Sequence, residues 1–258
     1  MPAGFKFRPA YLEILALLAW GTVFLHYWFS KQIKLLIHPR FFGVVVITGI
    51  VLIALGIVRA IAVSQSRAEP QIQHVTVLPG KWSSALLLAI AVTAVIVPIQ
   101  PLGSQAALQE GYTMTGLPPT RIRATQFTGG ASAEERTLSE WIRTLAAYPE
   151  PDSYQGKPVK VSGFVVYPPD LSESAFMITR FVIRHCAIDA VPVGLPVLLE
   201  GDRSDHPQDS WPQDSWPQDS WQEISGTLTV WERNGVREVA IAPEEISAIP
   251  EPDAPYEY

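Results

Sequence analysis

Three stretches of this chain are apolar almost without interruption: YLEILALLAWGTVFLHYWF (Tyr11 to Phe29), FFGVVVITGIVLIALGIVRAIAV (Phe41 to Val63) and WSSALLLAIAVTAVIVPI (Trp82 to Ile99). Each reaches the ~18 to 20 residues that a helix needs to cross ~30 Å of hydrocarbon. In lipid the backbone polar groups must be satisfied within the segment, so the pattern predicts three transmembrane helices at about 11–29, 41–63 and 82–99. Tyr11, Trp28, Phe41 and Trp82 fall at their ends, where amphipathic rings favour the interface. Lys6 and Arg8 ahead of the first stretch resemble the start of a signal peptide. The apolar run is too long for one, and KQIK follows it instead of a small-residue cleavage site, so it reads as a retained helix.

Beyond the third stretch the pattern changes. Residues 103–133 are rich in Gly, Pro, Ser and Thr and read as a linker. In TLSEWIRTLAAY, Leu138, Trp141, Ile142 and Leu145 share one helical face, and Thr137 with Glu140 fits a capping box. The remainder alternates as strands do: GKPVKVSGFVVY, FMITRFVIRH, VGLPVLLE, QEISGTLTVWE and VREVAIAPEEISAIP, with Asn234-Gly235 as a hairpin turn between the last two. Five strands with little helix predict a small β-barrel over residues 134–258, in an order that suits an OB-like fold. The architecture expected is therefore membrane-anchored α plus β: residues 1–102 as the anchor, a linker, then a soluble β-rich domain.

Charge sharpens this division. Residues 1–102 carry eight Lys or Arg against Glu13 and Glu69, a net of +6. Residues 103–258 carry eleven against twenty-three acids, a net of −12. Lys6, Arg8, Arg59, Arg67 and Lys81 flank the spans on one side, and Lys31, Lys34 and Arg40 on the other. The excess predicts the N-terminus inside and the acidic domain outside the plasma membrane. Glu13 and His26 are ionisable groups within the first span, close enough to its ends to reach headgroups or to face a partner helix.

Residues 207–221 are three copies of PQDSW. Only Trp221 leads into a strand pattern, which makes it the structural copy and places Trp211 and Trp216 in an expanded loop. The stretch FVIRHCAIDAVPVG holds the chain's sole cysteine, so no disulfide forms within the chain. His185-Cys186 is the one pair of soft ligand types. With Asp189, and with His206 as a fourth donor, it is the candidate site for a divalent metal ion. Neighbours in a regular strand point to opposite faces, so a chelating pair requires a turn here. The competing reading is a small buried cysteine with His185 at the surface.

The pieces LLIHPRF, PLGSQAAL, GKPVKVSGFV, HCAIDAVPVG, WQEISGTL and the closing PYEY together resemble a bacterial family of uncharacterised membrane proteins. That family is described as the smaller subunit of a two-component permease complex. The resemblance spans nearly the whole chain. It implies N-terminal membrane helices, a C-terminal β-rich domain and a larger polytopic permease as partner. Members commonly show two cysteines where this chain has His185-Cys186; the departure removes a strict dithiol role but not a metal site.

The acidic domain lacks the basic groove that nucleic-acid binding requires. No nucleophile–base pair, phosphate loop or catalytic carboxylate pair is recognisable, so the sequence does not read as an enzyme. Two functions remain: an accessory subunit of a permease, or a membrane-tethered domain that senses or delivers a metal ion or small ligand.

Overall fold

A computed structural model of the protein describes residues 9–65, 80–111, 136–171, 174–199, 216–233 and 235–258. The chain forms two compact units, Met1–Gln100 and Pro101–Tyr258. In the first, α1 (Pro9–Phe29), α2 (Phe42–Ser64) and α3 (Gly80–Ile96) follow the three apolar stretches. Two of these, α1 and α2, are long and apolar enough to cross a membrane. The third is shorter than predicted because Pro98 lacks a backbone N–H and disfavours helical geometry at the residue before it, so Val97 to Ile99 lie outside α3.

Glycine sets the approach of α1 to α2. A Cβ on Gly21 would lie 2.6 Å from Ile53 Cγ1 and 2.8 Å from the Gly49 carbonyl, and one on Gly56 would meet Leu18 at 2.7 Å. Glu13 lies 3.8 Å from Arg59, further along the same seam. As residue numbers fall along α1 they rise along α2, so the two helices are antiparallel. On the other flank the Trp20 Nε1–H donates to the Leu87 carbonyl (3.1 Å) and the Tyr27 hydroxyl to that of Ala94 (2.6 Å). These partners rise together, so α3 runs parallel to α1. Small residues for close approach and side-chain hydrogen bonds between helices are what hold helices together where no hydrophobic drive exists.

The second unit opens with a helix where the sequence predicts linker: α4 (Ser104–Glu110). Its composition is linker-like, but tertiary contacts override it. Both Ser104 and Ala107 are buried. After it comes α5 (Leu138–Ala147), which carries the expected capping box. Thr137 Oγ1 accepts from the Glu140 N–H, and the Glu140 carboxylate accepts from the Thr137 N–H. Leu138, Trp141 and Ile142 are each 1 % exposed or less.

The strands are β1 (Pro158–Val166), β2 (Ala175–Val182), β3 (Val191–Leu198), β4 (Trp221–Arg233), β5 (Val236–Ala248) and β6 (Tyr256–Glu257). Where a small barrel is expected, they form one six-stranded sheet in the order β1-β4-β5-β3-β2-β6, with β1 also paired to β2. The seam between β3 and β5 rests on one parallel pair, Val197 with Ile241. The β4–β5 hairpin is antiparallel from Gln222–Ala248 to Arg233–Val236, and Gly235 at its turn has φ +78°. Alternate residues Val159, Val161, Val165, Ile178, Ile224 and Leu228 join α5 in the core.

Candidate functional site

Strand β2 ends at Val182, and the chain then turns through a short 3₁₀ segment, Ala187–Asp189, before β3. The turn that a chelating His185-Cys186 pair requires is therefore present. Asp189 does swing back toward the pair, but its carboxylate is taken up by the backbone. Its oxygens accept the N–H groups of Arg184 (3.3 Å), His185 (3.0 and 3.1 Å) and Cys186 (3.2 Å). His185 Nδ1 lies 2.7 Å from Oδ2. In return Cys186 Sγ accepts the Asp189 N–H, closing a capping box.

Partial burial pushes the Asp189 carboxyl up, and the hydrogen bonds from His185, Cys186 and Arg184 outweigh it, holding its pKa below the ordinary value. Ionised, the carboxylate only accepts, so the Nδ1–H of His185 is the donor in this pair. His185 is exposed and Cys186 half-buried.

The three residues thus come together in one locked turn. Both oxygens of Asp189 accept from backbone N–H groups, where a structural zinc site uses four ligands of its own. Among the described residues no group of three or more His, Cys, Asp or Glu side chains is placed to hold a metal ion. His206 lies outside the described residues. Cys186 is also neither of the things a buried-strand reading requires: it sits beyond the end of β2 and is only half-buried.

Two networks escaped the sequence. The first centres on Arg180, a charge on the core-facing parity of β2. Its Nε donates to the Ser162 carbonyl (2.8 Å) and Nη2 to Ser162 Oγ (2.9 Å), its guanidinium lies 4.9 Å over the Trp221 ring, and Glu257 Oε1 is 3.8 Å away. Burial pushes the Arg180 pKa down and Glu257 opposes this. The other oxygen of Glu257 accepts the Ser139 N–H at the start of α5 (2.8 Å). A lone Arg in an apolar parity was the available signal; its partner, 77 residues on, left none.

The second network is built by the third PQDSW copy. Asp219, with φ +67°, accepts from the Ser104 N–H (2.5 Å) and hydroxyl (2.7 Å), and the Gln218 amide donates to Ser104 Oγ (2.8 Å). Trp221 packs on Phe164 as the structural copy should. Trp216 lies in the loop ahead of β4, as expected, yet it packs too: it stacks on Phe176 at 5.7 Å, and its carbonyl accepts from the Tyr167 hydroxyl. Trp211 lies outside the described residues.

These features define a class: apolar helices followed by a separately cored β unit. Residues 12–113 match the DUF1980 N-terminal domain and residues 132–258 the DUF1980 C-terminal domain. The chain belongs to this uncharacterised family. No curated protein matches it.

Proposed function

We propose that the protein is an integral membrane accessory subunit of a permease complex, working beside a larger polytopic partner without chemistry of its own. One observation carries the membrane part. The outer surface of α2 leaves Val44, Ile47 and Val58 more than 60 % exposed, a surface that water disfavours and hydrocarbon accepts. The up-down-up arrangement of α1 to α3 supports three spans, α3 being the shortest. With three spans the β unit lies across the membrane from the N-terminus, and the distribution of Lys and Arg makes that side extracytoplasmic. The strand order, with β1 returning to β2 and β3 parallel to β5, supports an OB-like barrel. Three helices without a charged central pathway are an anchor and a docking element, and the acidic β unit serves binding or assembly.

The test is purification of the full chain in mild detergent from its own cells. Stoichiometric recovery of a polytopic membrane protein, lost when α1–α2 packing is disrupted, is the expected result. Recovery of the chain alone, with intact helices, overturns the subunit reading.

A further inference from the structure

Helix α4 does not carry its own N-cap. Gly103 stands at that position with no side chain to offer. The cap comes from the β unit instead, where the Asp219 carboxylate accepts the Ser104 N–H and hydroxyl. Gly103 admits it, since a Cβ there would lie 2.8 Å from Asp219 Oδ1. At seven residues α4 is too short to persist as a helix in water unaided. It therefore forms where Asp219 holds it, with Ser104 and Ala107 buried and its body against β1 and β3. Just ahead of Gly103, the Leu102 N–H donates to the hydroxyl of buried Tyr256 (2.8 Å). Both holding groups thus come from the far end of the chain, the loop before β4 and strand β6.

By sequence α4 belongs with the helices, inside the stretch 12–113 that matches the family's N-terminal domain; by packing it belongs with the strands. We propose that α4 is a clasp: the chain leaving α3 plugs into the β unit, and its docking sets the length of the connection between the two units. Docked, residues 97–100 alone run from α3 to the β unit. Undocked, α4 loses its cap and its helix, and the connection becomes residues 97–135. Extended chain spans at most about 3.5 Å per residue, so release multiplies the reach several-fold. Hydrogen bonds and small buried residues hold the clasp, whereas the core cluster draws its helical side chains from α5. The clasp can therefore open without unfolding the β core. It stands whether or not α1 to α3 lie in a membrane.

The test uses the full chain in mild detergent, held on a resin by an N-terminal affinity tag, with a specific protease recognition sequence inserted between Gly129 and Gly130. After complete cleavage the β fragment should stay with the helical fragment and leave only on dilution. Asp219→Ala should raise the concentration at which it leaves about fivefold, the effect of losing a helix cap, and Asp219→Asn should restore most of the hold. Ala107→Glu forces a charge into the buried contact from the α4 side. It should release the β fragment as soon as the chain is cut, while the β transition in urea stays where it is. Release of the β fragment from the native chain on cleavage overturns the clasp. Retention in Ala107→Glu also overturns it, because the hold then lies elsewhere. Loss of the β fold in that variant overturns it too, by making α4 part of the core.

Discussion

The two units solve the same packing problem in opposite ways. In the helical unit the apolar residues point outward, and the contacts that hold it together are small or polar: Gly21 against Gly49, Trp20 and Tyr27 on carbonyls of α3, Glu13 near Arg59. In the β unit the order is inverted. Trp141, Phe176 and Ile178 are fully buried, and most charged side chains are outside. On the membrane reading proposed above, the difference has one cause: hydrophobicity decides what goes inside where water is outside, and fit and hydrogen bonds decide where hydrocarbon is.

If the cores are separate in this sense, damage to one should stay in it. The largest effect is expected from Trp141→Ala in α5, at about 3–5 kcal/mol for removing a fully buried indole. Urea unfolding of the full chain in micelles should show the β transition moving to lower denaturant while the helical signal holds. Glu257→Ala comes next, at up to about 3 kcal/mol, the low end of the range for buried pairs, because this pair is only partly buried and Ser162 still accepts from Arg180. The double variant Arg180→Met, Glu257→Leu should lose less than Glu257→Ala alone. If it loses more, the pair stabilises the unit beyond the charge it leaves stranded. On the other side of the comparison, Gly21→Leu forces a side chain against Ile53 and the Gly49 backbone, costing about 1–3 kcal/mol in helix association. A detergent-denaturation curve reads this, and an accompanying shift in the β transition would break the idea of two cores.

How much of this was legible depends on how far apart in sequence the partners lie. Within α5 everything needed is local: Thr137 and Glu140 three apart, and an apolar face at helical spacing, so helix and cap were readable to the residue. The β4–β5 hairpin was readable for the same reason. In contrast, α4 lies where composition predicts linker, because its stabilising partner, Asp219, is 115 residues away. Strand β6 is two residues long, too short for a period to show. Trp216 follows the same PQDS as Trp221 but leads into no strand pattern, so nothing local reveals that Phe176 receives it as Phe164 receives Trp221. At the candidate site the turn and the return of Asp189 were foreseeable. That its oxygens serve backbone N–H groups was not, since a carboxylate beside a His and a Cys reads equally well as a ligand.

Asp219 and Asp189 make a finer version of the comparison: both accept backbone N–H groups, but one reaches across the fold and the other closes its own turn. Asp219→Ala should free the start of α4, a loss of about 1 kcal/mol, as for a helix cap. Amide exchange at Ser104 and Ala107 should speed up while the core of α5 is unchanged; Asp219→Asn, which tolerates the left-handed backbone and keeps one acceptor, should restore most of the protection.

Asp189→Ala is the smallest effect, below about 1 kcal/mol, because the side chain is 35 % exposed and water screens its contacts. Its signature is in pH. A carboxyl whose folded pKa is depressed stabilises the fold above its unfolded value, and that stability is lost as pH falls through the folded pKa. The ordinary value is 3.8, and Asp189 lies below it. The difference in melting temperature between the native chain and Asp189→Ala should therefore hold from neutral pH down to about 4 and vanish in stronger acid. Amide exchange at Arg184, His185 and Cys186 should rise over the same interval. A difference that persists unchanged in strong acid would mean the carboxylate is not what holds the turn.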